Sequence, residues 1–218
     1  AFVFEIIIAI PLGVIAAVKQ YSFTDYAVTV IALVGISMPT FFLATVLKYV
    51  FSVKLGWFDL VGLTGRDFNS LSQFGQILDM AKHLVLPIVT LVFISIGPWM
   101  RYVRTNMLEV LNADYIRTAR AKGLTEFAVV TKHALRNALI PVITVLGPTV
   151  AGLLTGSFVV EKIFAIPGIG YYFVNSVTQR DYTTIMGVTI FFAAFLMAMV
   201  LLVDIFYCLI DPRIKFDA

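Results

Sequence analysis

Residues 184–210 read TIMGVTIFFAAFLMAMVLLVDIFYCLI, with Asp204 the sole charged side chain among them. As an α-helix rising about 1.5 Å per residue, the run is long enough to cross a hydrocarbon core about 30 Å thick. It therefore predicts a membrane-spanning helix. The rest of the chain agrees: of its 218 residues 60% are hydrophobic and 13% charged, and its mean hydropathy is +0.95. A soluble domain carries about 25% charged residues. Here the charges cluster between long apolar runs, as solvation by a bilayer demands.

Outward from that run, four more apolar stretches predict spans, at about 2–18, 27–53, 84–103 and 138–160. The expected fold is all-α: a polytopic transmembrane helical bundle of five spans, with residues 1–218 forming a single transmembrane domain. A short link (19–26), a longer loop (54–83), a basic segment (104–137) and another loop (161–183) join the spans. The chain opens at Ala1 inside an apolar run. That run has no basic flank before it and no small-residue cleavage site after it, so it is not a signal peptide, and an upstream segment is expected.

The net charge of +3 would raise nucleic acid as a partner for a soluble protein. In a membrane protein the position of the charges matters more, and no nucleic-acid partner is expected. One side of the predicted topology holds Lys19, Arg101, Arg104, Arg117, Arg120, Lys122, Lys132, Arg136, Arg213 and Lys215. The other holds Lys54, Arg66, Lys82, Lys162 and Arg180. This excess places the basic segment and the C-terminus in the cytoplasm and the start of the chain outside. Cys208 is the only cysteine, so no internal disulfide or cysteine-based metal cluster can form, and it reads as a small hydrophobe.

Ionisable residues inside spans are functional candidates by default. Glu5, Lys48 and Asp204 qualify, but none has an evident partner at i+3 or i+4, so the structural reading is preferred. Lys48 is expected to snorkel to the outer interface. The recurrent Pro11 and Gly13, Gly35 and Pro39, Gly97 and Pro98, and Gly147 and Pro148 fit either ordinary membrane helices or helices that bend around a pathway.

Residues 112–141, NADYIRTARAKGLTEFAVVTKHALRNALIP, are the most informative in the chain. Asn112 can cap a helix whose first turn holds Asp114, at the positive end of the helix dipole. Arg117, Arg120 and Lys122 fall towards its negative end, and Gly123 supplies a stop. A second helix can begin at Thr125, with Glu126 in its first turn. The expectation is two short helices with a sharp turn at Gly123, lying beneath the membrane. An interfacial helix on anionic lipid is the plain alternative. It wants a wide apolar stripe with bulky anchors, and the first helix offers mainly Tyr115, Ile116 and alanines. A small knob shaped to enter a protein groove fits better.

The segment resembles the coupling loop of ABC-importer permeases, whose signature is Glu-Ala-Ala, three residues and Gly. Arg117, Thr118 and Ala119 stand where the triplet would, and Gly123 matches the glycine. The closing Leu-Pro is Leu135-Arg136 here, with the proline delayed to Pro141. These departures match the dipeptide, oligopeptide and nickel permeases, whose variant reads like DYIRTARAKG followed by HALRNALIP. The same subfamily is similar at Gly156-Ser157 and at Glu161, Phe164, Pro167, Gly168 and Gly170, an E-x-x-F-x-x-P-G-x-G pattern. It is similar also at Arg180-Asp181-Tyr182, at Asp204, Tyr207 and Asp211-Pro212-Arg213, in IPLGVIAA at 10–17, and in SMPTF at 37–41. Family members carry one more N-terminal span and a sizeable external segment, both absent from this sequence.

The resemblance implies a permease subunit that pairs with a second, homologous permease above two cytoplasmic ATPases. An extracellular binding protein would deliver di- or oligopeptides, or nickel. It assigns ATPase coupling to Tyr115, Arg117, Thr118, Ala119, Arg120, Ala121, Lys122, Gly123 and Leu124. It assigns an external gate or binding-protein contact to Glu161, Phe164, Pro167, Gly168, Gly170 and Asp181. An aromatic belt is the plain reading of Phe164, Tyr171, Tyr172 and Phe173. The chain has no G-x-x-x-x-G-K-[ST] loop, so ATP and Mg are expected in partner subunits, and this chain is expected to bind no cofactor and to be no enzyme by itself. An intramembrane enzyme would need paired aspartates or a Ser/His set within spans, whereas His83 and His133 fall in predicted loops. Those histidines also lie too far apart for a metal site. Ser37, Thr40, Thr45, Thr90, Ser95 and Trp99 could line a pathway, or equally pack helices.

Overall fold

The computed structural model describes residues 1–154 and 158–210, with the side chains at 144, 146–148, 150–154, 203–204 and 206–210 excepted. Gly147, Pro148, Gly156, Ser157, Asp204, Tyr207, Cys208 and the Asp211-Pro212-Arg213 stretch thus fall outside the described side chains. Among the described residues there is no strand. The helices are α1 (Phe2–Val18), α2 (Phe23–Ser37), α3 (Thr40–Lys48), α4 (Gln73–Leu111), α5 (Asp114–Ala121), α6 (Glu126–Ala128), α7 (Leu135–Leu154), α8 (Phe158–Phe164), α9 (Ile169–Gln179) and α10 (Tyr182–Ile210). Two of them, α4 and the Tyr182–Leu202 part of α10, are long and apolar enough to cross a membrane, or three crossings if α2 and α3 are one broken span. Helix α1 is apolar but shorter.

The expected span at 27–53 is not one helix. It breaks at Met38 and Pro39 because a proline ring pushes the preceding residue out of the helical region and supplies no N–H. Pro39 is extended (φ −60°, ψ 135°), and its carbonyl accepts from the Phe42 and Leu43 N–H groups at 3.0 and 3.1 Å. Helix α3 then widens into a π-helical turn, Tyr49–Lys54. The expected span at 84–103 lies inside a longer helix: α4 has 39 residues and carries Pro87 and Pro98 within it. His83 and the start of the basic segment are therefore helical, not loop.

The chain divides into two compact units. One contains Phe2–Ser37, Ser95–Thr149 and the last turns of α10. Its core joins Ala9 and Ala17 of α1 and Ala32 of α2 to Trp99, Met100, Val103 and Met107 of α4, and continues through Ile116, Ala119, Val129, Val130, Ala134, Ala138 and Val142. Small residues bring the backbones together. A Cβ on Gly13 would lie 2.8 Å from the Met100 carbonyl oxygen, and one on Gly97 would lie 2.7 Å from that of Ala32. Bare glycine is what lets apolar helices approach so closely. Asp25 and Arg104 form a two-pronged ion pair here, Nε to Oδ1 at 2.8 Å and Nη2 to Oδ2 at 2.7 Å.

The other unit contains Met38–Ile94 and Val150–Met199. Ala44, Leu86, Val160 and Phe164 form its core, flanked by Leu47, Phe51, Phe58, Leu91, Ile163 and Ile166. The 55–72 loop is tied to α4. Gly65 N–H donates to Asp79 Oδ2 at 2.7 Å, and His83 Nε2 lies 3.3 Å from Asp59 Oδ2 with its side chain 2% exposed. Lys48, expected to reach the outer interface, finds its partner inside this unit. Its Nζ donates to the Ile163 carbonyl at 2.6 Å and lies 5.9 Å from the centre of the Phe164 ring. There it satisfies a carbonyl orphaned at the end of α8.

Candidate functional site

Helix α5 is capped differently from the expectation. Ala113, in extended conformation, occupies the cap position with no side-chain hydrogen bond, while Asn112 Nδ2 turns back to the Leu108 carbonyl at 2.9 Å and extends the end of α4. Asp114 and Arg117 are 3.5 Å apart with side chains 96% and 72% exposed, an arrangement that contributes little. Ile116 and Ala119 are buried and set the face of α5 that packs on the core. The stop at Gly123 stands as expected: its φ is +80°, and the Lys122 and Gly123 N–H groups close on the Thr118 and Arg120 carbonyls at 3.1 and 2.9 Å.

The second helix starts at the expected residue. Thr125 is its cap, and its hydroxyl accepts from the Ala128 N–H at 3.4 Å. It is not short, however. It passes through a π-helical turn, Val129–Ala134, directly into α7, because Val129, Val130 and Ala134 are all buried and hold that wider turn against the core. His133 lies in this turn. Arg120 and Glu126 bridge the Gly123 corner with two hydrogen bonds, 3.1 and 2.6 Å, and the guanidinium holds the Glu126 carboxyl below the usual carboxylate range.

Around this braced corner the outward side chains are Tyr115, Leu124 and Phe127, 45%, 42% and 78% exposed, with Arg117, Thr118, Ala121 and Lys122 also exposed. Phe127 is the member that sequence reasoning missed. Its signal was present, a large apolar residue in the first turn of a helix that starts at a tight corner. The corner is thus an apolar knob with a basic rim.

The second group of expected residues assembles elsewhere. The stretch read as a loop after Glu161 is a helical hairpin of α8 and α9, in which Pro167 and Gly168 are the turn. Glu161 reaches across it, and its Oε2 accepts the Tyr171 N–H at 2.9 Å. That carboxylate occupies the N-terminus of α9, where the first N–H groups of a helix lack intrahelical partners. The two glycines follow from it. A Cβ on Gly168 would collide with the Glu161 carboxylate, and one on Gly170 would collide with the Phe158 ring and lie 2.9 Å from Glu161 Oε2. Phe164 is 3% exposed in the core, and its carbonyl accepts the Gly62 N–H at 2.8 Å. Phe173 packs on Phe158 with ring centres 5.2 Å apart, so only part of the aromatic group faces outward, chiefly Tyr172. Asp181 belongs to the next joint. Arg180 is left-handed (φ 57°) and ends α9, while Asp181 accepts from Thr184 N–H at 3.1 Å and from its hydroxyl at 2.6 Å. The Thr184 hydroxyl holds this carboxyl below its ordinary range.

Several proposed pathway residues serve their own helices. The hydroxyls of Ser37, Thr45 and Thr90 donate to Leu33, Phe41 and Leu86 carbonyls at 2.7–2.8 Å, and Trp99 is in the core against Phe2. Among the described residues no three His, Cys, Asp or Glu side chains are grouped as a metal site would need.

Residues 9–216 match the family described as binding-protein-dependent transport system inner membrane component. The chain belongs to that family. Relatives within it include the dipeptide transport system permease protein DppB of Bacillus subtilis (strain 168), 50% identical over 218 residues, covering 99% of this chain and 65% of the relative. The oligopeptide transport system permease protein AppB of the same organism is 44% identical over 214 residues, with 98% and 66% covered. The oligopeptide transport system permease protein OppB of Haemophilus influenzae is 38% identical over 216 residues, with 99% and 66% covered. The chain thus spans just under two thirds of the length of these relatives. Helix α10 leaves Met186, Ile190, Met197 and Leu201 63%, 65%, 66% and 61% exposed, apolar surface of the kind a bilayer can cover.

Proposed function

We propose that this chain is the larger part of a permease subunit of an ATP-driven peptide importer in the bacterial cytoplasmic membrane. It forms half of a translocation pathway for di- or oligopeptides, paired with a second permease. Two cytoplasmic ATPases, which hold the ATP and Mg, dock beneath it, and an extracellular binding protein delivers substrate. Peptide is preferred to nickel because the relatives named above are dipeptide and oligopeptide systems.

The observation that carries the reading is the corner at Gly123. A docking knob must be rigid, or ordering it on contact would consume the binding energy. Here a left-handed glycine, a capped second helix and a two-pronged Arg120–Glu126 bridge fix its shape, while Tyr115, Leu124 and Phe127 offer apolar area to a groove. Closure of the ATPases on ATP then moves this corner, and α5 with it, switching the pathway through differential affinity for the two states. The α8–α9 hairpin and the Asp181 joint are read as the external face that meets the binding protein.

The test uses the assembled transporter. A cysteine at Ala121, exposed beside the corner, should crosslink to a cysteine in the groove of the ATPase and remain inaccessible to a lipid-borne thiol probe. Labelling by the lipid probe with no crosslink at any groove position would make the segment a surface-lying helix and overturn the docking assignment.

A further inference from the structure

Between α2 and α4, within one compact unit, lies a groove of about 310 Å³. Its walls are Ala32, Leu33, Ile36 and Met100, and its polar groups gather near Arg101, Arg104, Tyr21 and Tyr26. It closes at Gly97, where the α2 backbone and the Ile36 side chain leave no room even for a methyl group. From Gly97 to Arg104 is seven residues of helix, about 10 Å at 1.5 Å per residue. The cleft is therefore narrow and apolar at depth, and basic and aromatic at the mouth.

The charges at that mouth are unequal. Arg104 is matched by Asp25 through two hydrogen bonds, which also fix the guanidinium in place. Arg101, one turn earlier on α4, is exposed and has no carboxylate partner among the described residues, and neither has Lys19 on the adjoining link. Tyr21 and Tyr26 are 73% and 60% exposed, rings of the kind that settle at headgroup depth. A cleft with an apolar floor and a mouth of surplus positive charge complements an amphiphile with an anionic head.

We propose that this groove binds an anionic phospholipid, with the upper part of one acyl chain against Leu33, Ile36 and Met100 and its phosphate at Arg101. The tyrosine hydroxyls donate to the same headgroup, and Lys19 adds long-range attraction. The fixed Asp25–Arg104 pair keeps the mouth open and its donors aimed. This rests on the membrane reading of the chain, not on what it transports or on which partner meets the Gly123 corner.

The experiment takes the full-length permease in its purified complex, stripped of lipid in detergent, and titrates it with phosphatidylglycerol or phosphatidylcholine while native mass spectrometry counts bound lipid. Wild type should retain phosphatidylglycerol roughly five- to tenfold better than phosphatidylcholine. Arg101→Gln should bring the two lipids near parity, and Leu33→Trp, which fills the cleft, should reduce both. Unchanged assembly of both variants by gel filtration is the folding control, and excess inorganic phosphate should displace nothing. Equal retention of the two lipids by wild type, an undiminished preference in Arg101→Gln, no loss in Leu33→Trp, or displacement by inorganic phosphate would each overturn the proposal.

Discussion

Gly123 and Gly168 are both motif glycines, yet they are glycine for different reasons. At Gly123 a Cβ would meet nothing within 4 Å, but φ is +80°. The constraint is purely conformational. At Gly168 the backbone is ordinary (φ −101°) and the constraint is the Glu161 carboxylate packed against it. A β-branched residue at Gly123 therefore costs about 1–2 kcal/mol through the left-handed conformation alone, whereas asparagine tolerates that region far better. Gly123→Val should insert and assemble normally but lose substrate-stimulated ATP hydrolysis and uptake, while Gly123→Asn keeps most of both. Wild-type transport by Gly123→Val would show that the aim of the corner does not matter.

At the scale of elements, short helices here are held by side chains from other turns of the chain. Helix α9 begins with no side-chain cap of its own and relies on Glu161 from α8. A backbone N–H bonded to a charged acceptor is worth about 1.5–3 kcal/mol, so Glu161→Ala should loosen the start of α9 without unfolding α10, which has its own cap in Asp181. Hydrogen exchange on the assembled complex should show the amides of residues 169–172 exchanging at least about tenfold faster, with those after Thr184 unchanged. Unaltered exchange at 169–172 would mean that the hairpin is held by the Phe158–Phe173 packing instead. Lys48 acts in the same manner on the end of α8, where its Nζ donates to the Ile163 carbonyl, so the last turn of α8 and the first turn of α9 are each held by a charged side chain from elsewhere in the chain.

For the whole molecule the membrane sidedness rests on the basic residues, and the structure sharpens where to probe it. Ser70 lies in the loop before α4, Thr178 is exposed near the end of α9, and Thr125 is exposed at the corner. Single cysteines at Ser70 and Thr178 should label with an impermeant thiol reagent in intact cells, and one at Thr125 should not. The reverse pattern would invert the topology and remove the Gly123 corner from the ATPases.

The sequence by itself determined the class of protein, because a bilayer leaves few ways to solvate 60% hydrophobic residues. It also determined the Gly123 stop and the Thr125 start, since capping and left-handed turns are read from neighbouring residues. The break at Pro39 also has a local cause, the proline itself, which hydropathy does not record. Two features were decided only in the tertiary structure. The π-helical turn before α7 exists because Val129, Val130 and Ala134 find a core to fill. The long-range partners, Asp25 with Arg104, Lys48 with Ile163 and Glu161 with Tyr171, join residues from different turns or helices. No rule of i+3 or i+4 spacing reaches that far, and in a low-dielectric interior a charge is settled by whichever donor or acceptor the packing brings within about 3 Å.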